Sequence, residues 1–158
     1  MHPRAEEFRS RAKDQYGVDL SVEEFSEETR TAADAAEAIG CAVARIASSL
    51  VFLADGDPIV VVTSGANRVD EAKLADAMGV PATAVAMADP ETVREATGWA
   101  IGGVPPICHD RPLPVYLDET LTDQSTVWAA AGTPEAVFPI APAQLRELAD
   151  ATVADVAE

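Results

Sequence analysis

The sequence predicts a single mixed α/β domain over residues 1–158. Its sheet is expected to be mixed, largely antiparallel and closed into a barrel-like shape, with helices on its flanks. The chain has 158 residues, 48 % of them hydrophobic, which suits one compact unit with its own core. Apolar residues recur at helical spacing in some segments and form short continuous runs in others. These segments do not alternate regularly, which disfavours a parallel βαβ fold.

Five segments carry helix signals. Their apolar residues recur every three to four positions, or a capping residue begins the segment and a glycine ends it. In the second segment, Thr31 and Asp34 form a near capping box and Gly40 is the stop signal. The predicted helices cover residues 3–16, the stretch between 31 and 40, and residues 69–78, 90–97 and 142–148.

Six short apolar runs are typical of strands. Residues 49–53 and 58–63 flank Asp55 and Gly56, which is a hairpin signal, and their continuous apolar character indicates burial on both faces. The other four predicted strands are residues 99–101, 114–117, 127–131 and 136–140. A second hairpin turn, residues 132–135, lies between the last two.

The net charge is strongly negative. Asp and Glu number 27 against 11 Lys and Arg, which gives −16. Such a charge repels polyanions at ordinary ionic strength and argues against a general nucleic-acid binder. A halophilic origin is the second interpretation, because the acids are spread evenly and only Lys13 and Lys73 are lysines. In molar salt the Debye length falls to about 3 Å, so the charge then reports habitat more than function.

Several classes of protein are disfavoured. No stretch of about 18 apolar residues could cross a membrane, and the opening His2-Pro3-Arg4 does not resemble a signal peptide. We therefore expect a soluble, cytoplasmic protein. Cys41 and Cys108 lie in unrelated contexts, which disfavours a disulfide scaffold or a zinc module. Neither a metal nor another cofactor is expected.

The most distinctive segment runs from Gly102 through Gly103, Val104 and Pro105 to Pro106. Two glycines permit backbone angles closed to other residues and let a ligand approach the main chain, while two prolines stiffen the rest. Such a loop can aim several N–H groups at one carbonyl oxygen and stabilise a developing oxyanion. The alternative is an ordinary tight turn between strands.

Four motifs around this loop occur in a recognisable order. They are IASSLVF at residues 46–52, SGANRVD at 64–70 with KLA at 73–75, TGWAIGGVPP at 97–106 followed by His109, and LDE at 117–119. Together, from about residue 30 to 150, they resemble the successive motifs of the YbaK/prolyl-tRNA-synthetase-associated editing domain family. This collinearity is more specific than any one motif.

The resemblance implies a free-standing aminoacyl-tRNA deacylase with the fold of that family. The family's Gly-x-x-x-Pro loop falls on residues 102–106, and its amides would hold the aminoacyl carbonyl. No metal is implied, since a water positioned beside the ester attacks it with help from the terminal tRNA hydroxyl. A second small pocket removes errors that a synthetase cannot reject, because one methylene discriminates by only about 1–3 kcal/mol. The implied partners are the aminoacyl end of tRNA and an aminoacyl-tRNA synthetase; a monomer and a homodimer both remain open.

Two departures from the family pattern concern its chemistry. The family has a lysine where this sequence has Ser48, and a neutral, short hydroxyl cannot replace an ammonium group. Ile107 and Cys108 stand where many relatives have an aromatic residue and a glycine. The alternative function is therefore an altered protein that binds an aminoacyl group or a tRNA end without turnover. A structural or regulatory partner of a synthetase is a third hypothesis.

Four polar residues are further candidates. Asp118 follows a predicted strand and either orients a ligand amine or a water, or caps the turn that begins there. Asn67 and Arg68 lie in a polar turn, and Lys73 lies about one helical turn further on. In a chain so poor in cations they are candidates for meeting the tRNA end, whereas the alternative is a solvated surface.

The aromatic and thiol residues have simpler interpretations. His109 is predicted to line the pocket or anchor the loop. A thiol nucleophile at Cys108 with His109 as its base is disfavoured, because adjacent residues point in different directions. Trp99 and Trp128 are predicted to be core residues rather than stacking platforms.

Overall fold

The computed structural model describes residues 1–25 and 31–158, and these contain five α-helices and eight β-strands. The helices are α1 (Pro3–Tyr16), α2 (Ala32–Ile39), α3 (Glu71–Met78), α4 (Pro90–Thr97) and α5 (Pro142–Ala149). The strands are β1 (Glu23–Glu24), β2 (Ile46–Ala54), β3 (Asp57–Ser64), β4 (Val85–Met87), β5 (Val115–Asp118), β6 (Val127–Ala130), β7 (Ala136–Ile140) and β8 (Thr152–Ala154). Short 3-10 helices cover Val43–Arg45, Ala82–Ala84 and Glu119–Asp123.

All five predicted helices are present, and local capping explains where they begin. The Thr31 hydroxyl accepts from the Asp34 N–H at 3.1 Å while the Asp34 carboxylate accepts from the Thr31 N–H, so the capping box of α2 is complete. The Asp89 carboxylate caps α4 by accepting from the Thr92 N–H at 2.8 Å, and Pro90 takes the first helical position. These ends are fixed by residues that the sequence displays directly.

The eight strands form one mixed sheet in the order β1-β7-β6-β2-β3-β5-β8, with β4 paired to β2 beside this path. Four pairings are antiparallel (β1/β7, β2/β3, β2/β4 and β6/β7) and three are parallel (β2/β6, β3/β5 and β5/β8). The mixed, largely antiparallel sheet is thus confirmed. The expected closure is wrong, because no described pairing joins β1 to β8 and the sheet ends on these two short edge strands.

One predicted strand is a loop, and three strands were not predicted. Residues 99–101 pair with no described strand, because the chain turns here and the Ala100 carbonyl accepts from the Gly103 N–H at 3.0 Å. The Trp99 side chain is fully buried, and its indole N–H donates to the Cys108 carbonyl at 2.9 Å. The three additional strands, β1, β4 and β8, are two or three residues long. Short edge strands of mixed composition carry no clear period, so the sequence does not reveal them.

The main core lies between the sheet and α1. Phe8 of α1 is fully buried, with its ring centroid 5.0 Å from that of Phe138 and 6.3 Å from that of Trp99. A second cluster, around Leu74 and Phe52, packs α3 against the other face. Among the described helices, none combines the length and apolar character that crossing a membrane requires.

Candidate functional site

A gap in the sheet beside β2 creates the candidate site. On the side opposite β3, β2 pairs with β6 at Ile46 and Ala47 and with β4 from Phe52 onward. The Val51 carbonyl on this side accepts from the Ala88 N–H at 3.0 Å. Between these contacts, residues 48–50 have no described strand beside them. Because backbone groups alternate along a strand, the N–H and C=O of Ser49 face this gap.

A cavity of about 260 Å³ occupies this gap. Its walls come from α2, β2, the segment after β4, α4, the glycine-rich loop and the β6–β7 hairpin. None of the described residues that line it carries a charged side chain. The lining residues are Thr31, Ala32, Ala35, residues 46–51, Met87, Ala88, Val93, Ile101, Gly102, Val104, Trp128, Ala130, Pro134 and Val137.

The glycine-rich loop forms part of the cavity wall through Gly102 and Val104. The Gly103 N–H donates to the Ala100 carbonyl at 3.0 Å, which closes a turn with Gly102 at φ +87°. A residue with this φ in a tight turn is normally glycine. The N–H groups of Gly102 and Val104 have no hydrogen-bond partner in the described part of the chain. The loop therefore offers two N–H groups rather than the several expected, since Pro105 and Pro106 have none.

Two serines contribute the polar part of the β2 wall. Ser48 lines the cavity, as does Ser49. The Ser49 hydroxyl is buried and lacks a hydrogen-bond partner among the described residues. A buried polar group normally has a partner, so this hydroxyl is a notable exception. We did not single out Ser49 from the sequence, although two adjacent hydroxyls in an apolar strand were a usable signal.

Asp118 lies in a separate buried cluster and does not line the cavity. One carboxylate oxygen accepts from the Ser64 N–H, the Thr63 hydroxyl and the Asn67 side-chain amide, at 2.9 to 3.1 Å. The other accepts from the Thr120 N–H at 3.0 Å, which caps the following 3-10 helix. Burial raises the pKa of Asp118, but these hydrogen bonds outweigh burial and hold it below its usual value. The cluster joins the ends of β3 and β5, and a catalytic role for Asp118 stays a prediction.

His109 does not line the cavity but anchors the glycine-rich loop through a hydrogen bond to its backbone. Its Nε2 lies 2.8 Å from the Pro105 carbonyl oxygen, and since a carbonyl only accepts, Nε2 carries the hydrogen. Burial lowers the pKa of His109, which favours the neutral ring. Burial also raises the pKa of the neighbouring Cys108 thiol to about 11. A thiolate nucleophile at neutral pH is therefore disfavoured, in agreement with the sequence interpretation.

The cationic candidates for the tRNA end lie away from the cavity. The Lys73 ammonium pairs with the Asp155 carboxylate at 3.0 Å, and this hydrogen bond raises the pKa of Lys73. The Arg68 carbonyl accepts from the Glu158 N–H at 2.9 Å, which ties this turn to the end of the chain. Neither residue lines the cavity, nor does Asn67. Within residues 1–25 and 31–158, no group of three His, Cys, Asp or Glu side chains could hold a metal ion.

The two tryptophans differ in environment. Trp99 is fully buried in the main core, as expected. Trp128 is half-buried and lines the cavity. Met87 and Ile101 also line the cavity, and they are 59 % and 52 % accessible to solvent. These three apolar side chains were not predicted as site residues, because their sequence context matches that of core positions.

Comparison with known proteins assigns a family to this architecture. The model of the aminoacyl-tRNA editing domain family matches residues 26–148. This range includes the cavity-lining residues of β2, the glycine-rich loop and the β6–β7 hairpin.

Individual relatives agree with the family match. The chain is 36 % identical to YwhH of Bacillus subtilis over 136 residues, which cover 84 % of this chain and 83 % of YwhH. It is 30 % identical over 149 residues to EbsC of Enterococcus faecalis, described as a candidate Cys-tRNA(Pro)/Cys-tRNA(Cys) deacylase, with 92 % and 90 % of the two chains covered. A solved structure described as a candidate trans-editing enzyme for prolyl-tRNA synthetase superimposes with a TM-score of 0.93 at 43 % identity. It covers 100 % of this chain and 99 % of the other.

Proposed function

The chain belongs to the aminoacyl-tRNA editing domain family, and from this premise we propose that it is a trans-acting aminoacyl-tRNA deacylase. Its reaction is hydrolysis of the ester that joins a wrong amino acid to the terminal ribose of a tRNA. The products are a free amino acid and an uncharged tRNA.

One observation carries the proposal: the N–H groups of Gly102 and Val104, which have no partner among the described residues, belong to residues that line an apolar cavity. In such surroundings an N–H donor interacts with developing charge more strongly than in water, and it needs no reorganisation during the reaction. The carbonyl oxygen of the bound ester is their acceptor. Negative charge grows on this oxygen as the tetrahedral intermediate forms.

The reaction needs only water besides the ester. The water oxygen attacks the carbonyl carbon, and the carbonyl oxygen becomes the oxyanion held by the loop. The bond between the carbonyl carbon and the ribose oxygen then breaks, and the ribose oxygen takes the proton that the water gives up. The hydroxyls of Ser48 and Ser49 and the terminal tRNA hydroxyl are the candidates for orienting this water.

The size of the cavity supports a small substrate group. At about 260 Å³ it lies just below the usual range for ligand pockets, which begins at about 300 Å³. It accommodates an aminoacyl group rather than a whole nucleotide. The small volume supports a role as a second sieve, which would accept the small amino acids that a larger synthetase pocket fails to reject.

The second candidate function is binding of the aminoacyl end without turnover. The observation that favours it is Ser48, which replaces the family lysine in a cavity whose described lining carries no charge. Without an ammonium group, stabilisation of the oxyanion depends on the two backbone N–H groups alone.

A deacylation assay separates the two candidates. Purified protein is incubated with a panel of mischarged tRNAs, and the released amino acid is measured. The Ser48→Lys variant is assayed in parallel, with Ser21→Lys as a control for the added charge at an exposed position that does not line the cavity. Release by the wild type that Ser48→Lys lowers supports a serine-adapted enzyme, whereas release only after Ser48→Lys supports the binding protein. No release by either protein across the full panel contradicts the deacylase.

A further inference from the structure

A second cavity, of about 490 Å³, differs from the first in charge. We call it the cationic pocket, because His2, Arg4 and Arg94 line it and none of its described lining residues is acidic. The chain has 27 acidic and only 11 basic residues, so two arginines without a carboxylate in one cavity depart from the average surface. The other lining residues are Gly98, Ala100, Gly132, Thr133 and Pro134.

Arg94 supplies an available positive charge. It lies in the last turn of α4, its side chain is exposed, and it makes no ion pair with any residue in the described ranges. Arginine binds phosphate through parallel N–H donors in a planar fork. Its guanidinium can therefore take an anion without first breaking an existing salt bridge.

Arg4, which also lines the cationic pocket, is held in position by several contacts. Its guanidinium lies 4.0 Å from the centroid of the Trp99 ring, donates to the Gly98 carbonyl and pairs with Glu7 at 2.8 Å. A donor that is already ordered loses little entropy when it binds a ligand. The Glu7 carboxylate offsets part of its charge, so Arg94 carries the larger share of the unbalanced charge.

His2 completes the pocket at the start of α1. Its Nδ1 accepts from the Arg4 N–H at 3.0 Å, while its Nε2 has no partner among the described residues. Because Nδ1 accepts, the neutral ring carries its hydrogen on Nε2 and can donate it. The Glu24 carboxylate, which does not line the pocket, accepts from the backbone N–H of His2 at 2.9 Å.

The cationic pocket and the apolar cavity are close neighbours. Pro134 lines both. The glycine-rich loop packs tightly on the same turn, since a Cβ added at Gly103 would lie 2.7 Å from the Thr133 Cα. The two cavities therefore share part of one wall, the turn at Thr133 and Pro134. A chain end bound in the apolar cavity lies next to the cationic pocket at this turn.

We propose that the cationic pocket binds a phosphate oxyanion, namely the phosphodiester adjoining the aminoacylated terminal nucleoside of tRNA. The assignment to tRNA rests on the proposed function, whereas the anion chemistry rests on the pocket alone. The pocket supplies local attraction in a protein whose net charge otherwise repels a polyanion.

The test compares Arg94→Gln with Arg146→Gln, which removes the same charge from an exposed position on α5 that lines neither cavity. The probe is the trinucleotide CCA, titrated by NMR at several KCl concentrations. Arg94→Gln is expected to raise the dissociation constant about three- to tenfold and to reduce the slope of its logarithm against log salt by about 0.7. Arg146→Gln is expected to match the wild type. Equal affinities and slopes for the two variants overturn the site.

Two further arms identify the source of the phosphate and separate this proposal from the proposed function. Inorganic phosphate that binds as tightly as CCA overturns the assignment to tRNA, because the pocket is then a site for a free anion. Hydrolysis of 3′-aminoacyl adenosine, which has no phosphodiester, is expected to be unchanged in Arg94→Gln, while kcat/KM on aminoacyl-tRNA falls. Wild-type protein that hydrolyses nothing yet binds CCA through Arg94 supports the pocket and contradicts the deacylase.

Discussion

Replacing Gly102 by alanine tests the proposed role of the loop as an oxyanion holder. Gly102 has φ +87° and lies in the turn closed by the Gly103 N–H. Its added Cβ would lie 3.4 Å from the Pro134 side chain, an ordinary contact, so the main effect is on backbone conformation. Relaxation of φ rotates the adjoining peptide planes and turns an N–H group away from the acyl oxygen.

The expected magnitudes come from two separate effects. An alanine with left-handed backbone angles costs about 1–2 kcal/mol of stability. Loss of one oxyanion donor lowers the rate of the chemical step about 10²- to 10³-fold, which is about 2.7–4 kcal/mol. The expected fall in the rate of deacylation is therefore much larger than a loss of folding stability of this size would cause.

Gly17→Ala is the matched control. Gly17 has φ +69° at the end of α1, and a Cβ added there meets nothing within 4 Å. Single-turnover deacylation measures the rate, and urea denaturation measures the free energy of unfolding. Both variants should lose comparable stability, but only Gly102→Ala should lose activity. Equal rates in the two variants refute the role of the loop, whatever their stabilities.

Three further predictions concern stability. Asp118→Asn should lower the free energy of unfolding by about 2–4 kcal/mol, because an amide cannot accept from every donor around this buried carboxylate. Since its folded pKa is lowered, Asp118 stabilises the protein above about pH 4, and urea denaturation should show that the variant lacks the wild-type loss below this pH. For His109, whose folded pKa is also lowered, stability should fall as the pH drops below about 6.5, and His109→Gln should remove this dependence; an unchanged profile contradicts the neutral, buried ring. The net charge of −16 predicts that raising KCl from about 0.1 to about 2 M increases Tm by about 4 °C or more, and a Tm that does not rise contradicts the halophilic interpretation.

Helices were predictable because their signals are local. The carboxylate of Asp89, the ring of Pro90 and the glycine at position 98 each act within one turn of α4, so sequence alone places its ends. The β2–β3 hairpin was predictable for the same reason, with Asp55 and Gly56 at its turn.

The neighbours of a strand across the sheet were not predictable in this way. The parallel pairing of β2 with β6 joins Ile46 to Trp128, which are far apart in sequence and linked by no local pattern. Trp99 misled the strand prediction, because its apolar character reflects a buried indole that bonds to the Cys108 carbonyl. The open sheet follows from such long-range contacts.

The site was partly predictable. Ser48, Gly102 and Val104, which the motifs single out, all line the cavity, and their roles in catalysis or binding stay predictions. Asp118 and Lys73 were chosen for their chemistry, but their partners lie elsewhere in the fold. The identity of a polar residue shows which chemistry it can perform. The cavity that it faces depends on long-range contacts, which a single sequence does not show.

The first helix has a practical consequence for dissecting this protein. The family match begins at residue 26, whereas α1 ends at Tyr16 and buries Phe8 between Trp99 and Phe138. A chain shortened to the matched segment would lose that ring, at about 3–5 kcal/mol, a large share of the stability of a typical domain. The limits of the family match therefore differ from the limits of the packed core, because α1 supplies part of that core. Removal of α1 would also remove its contacts with Trp99, which precedes the glycine-rich loop.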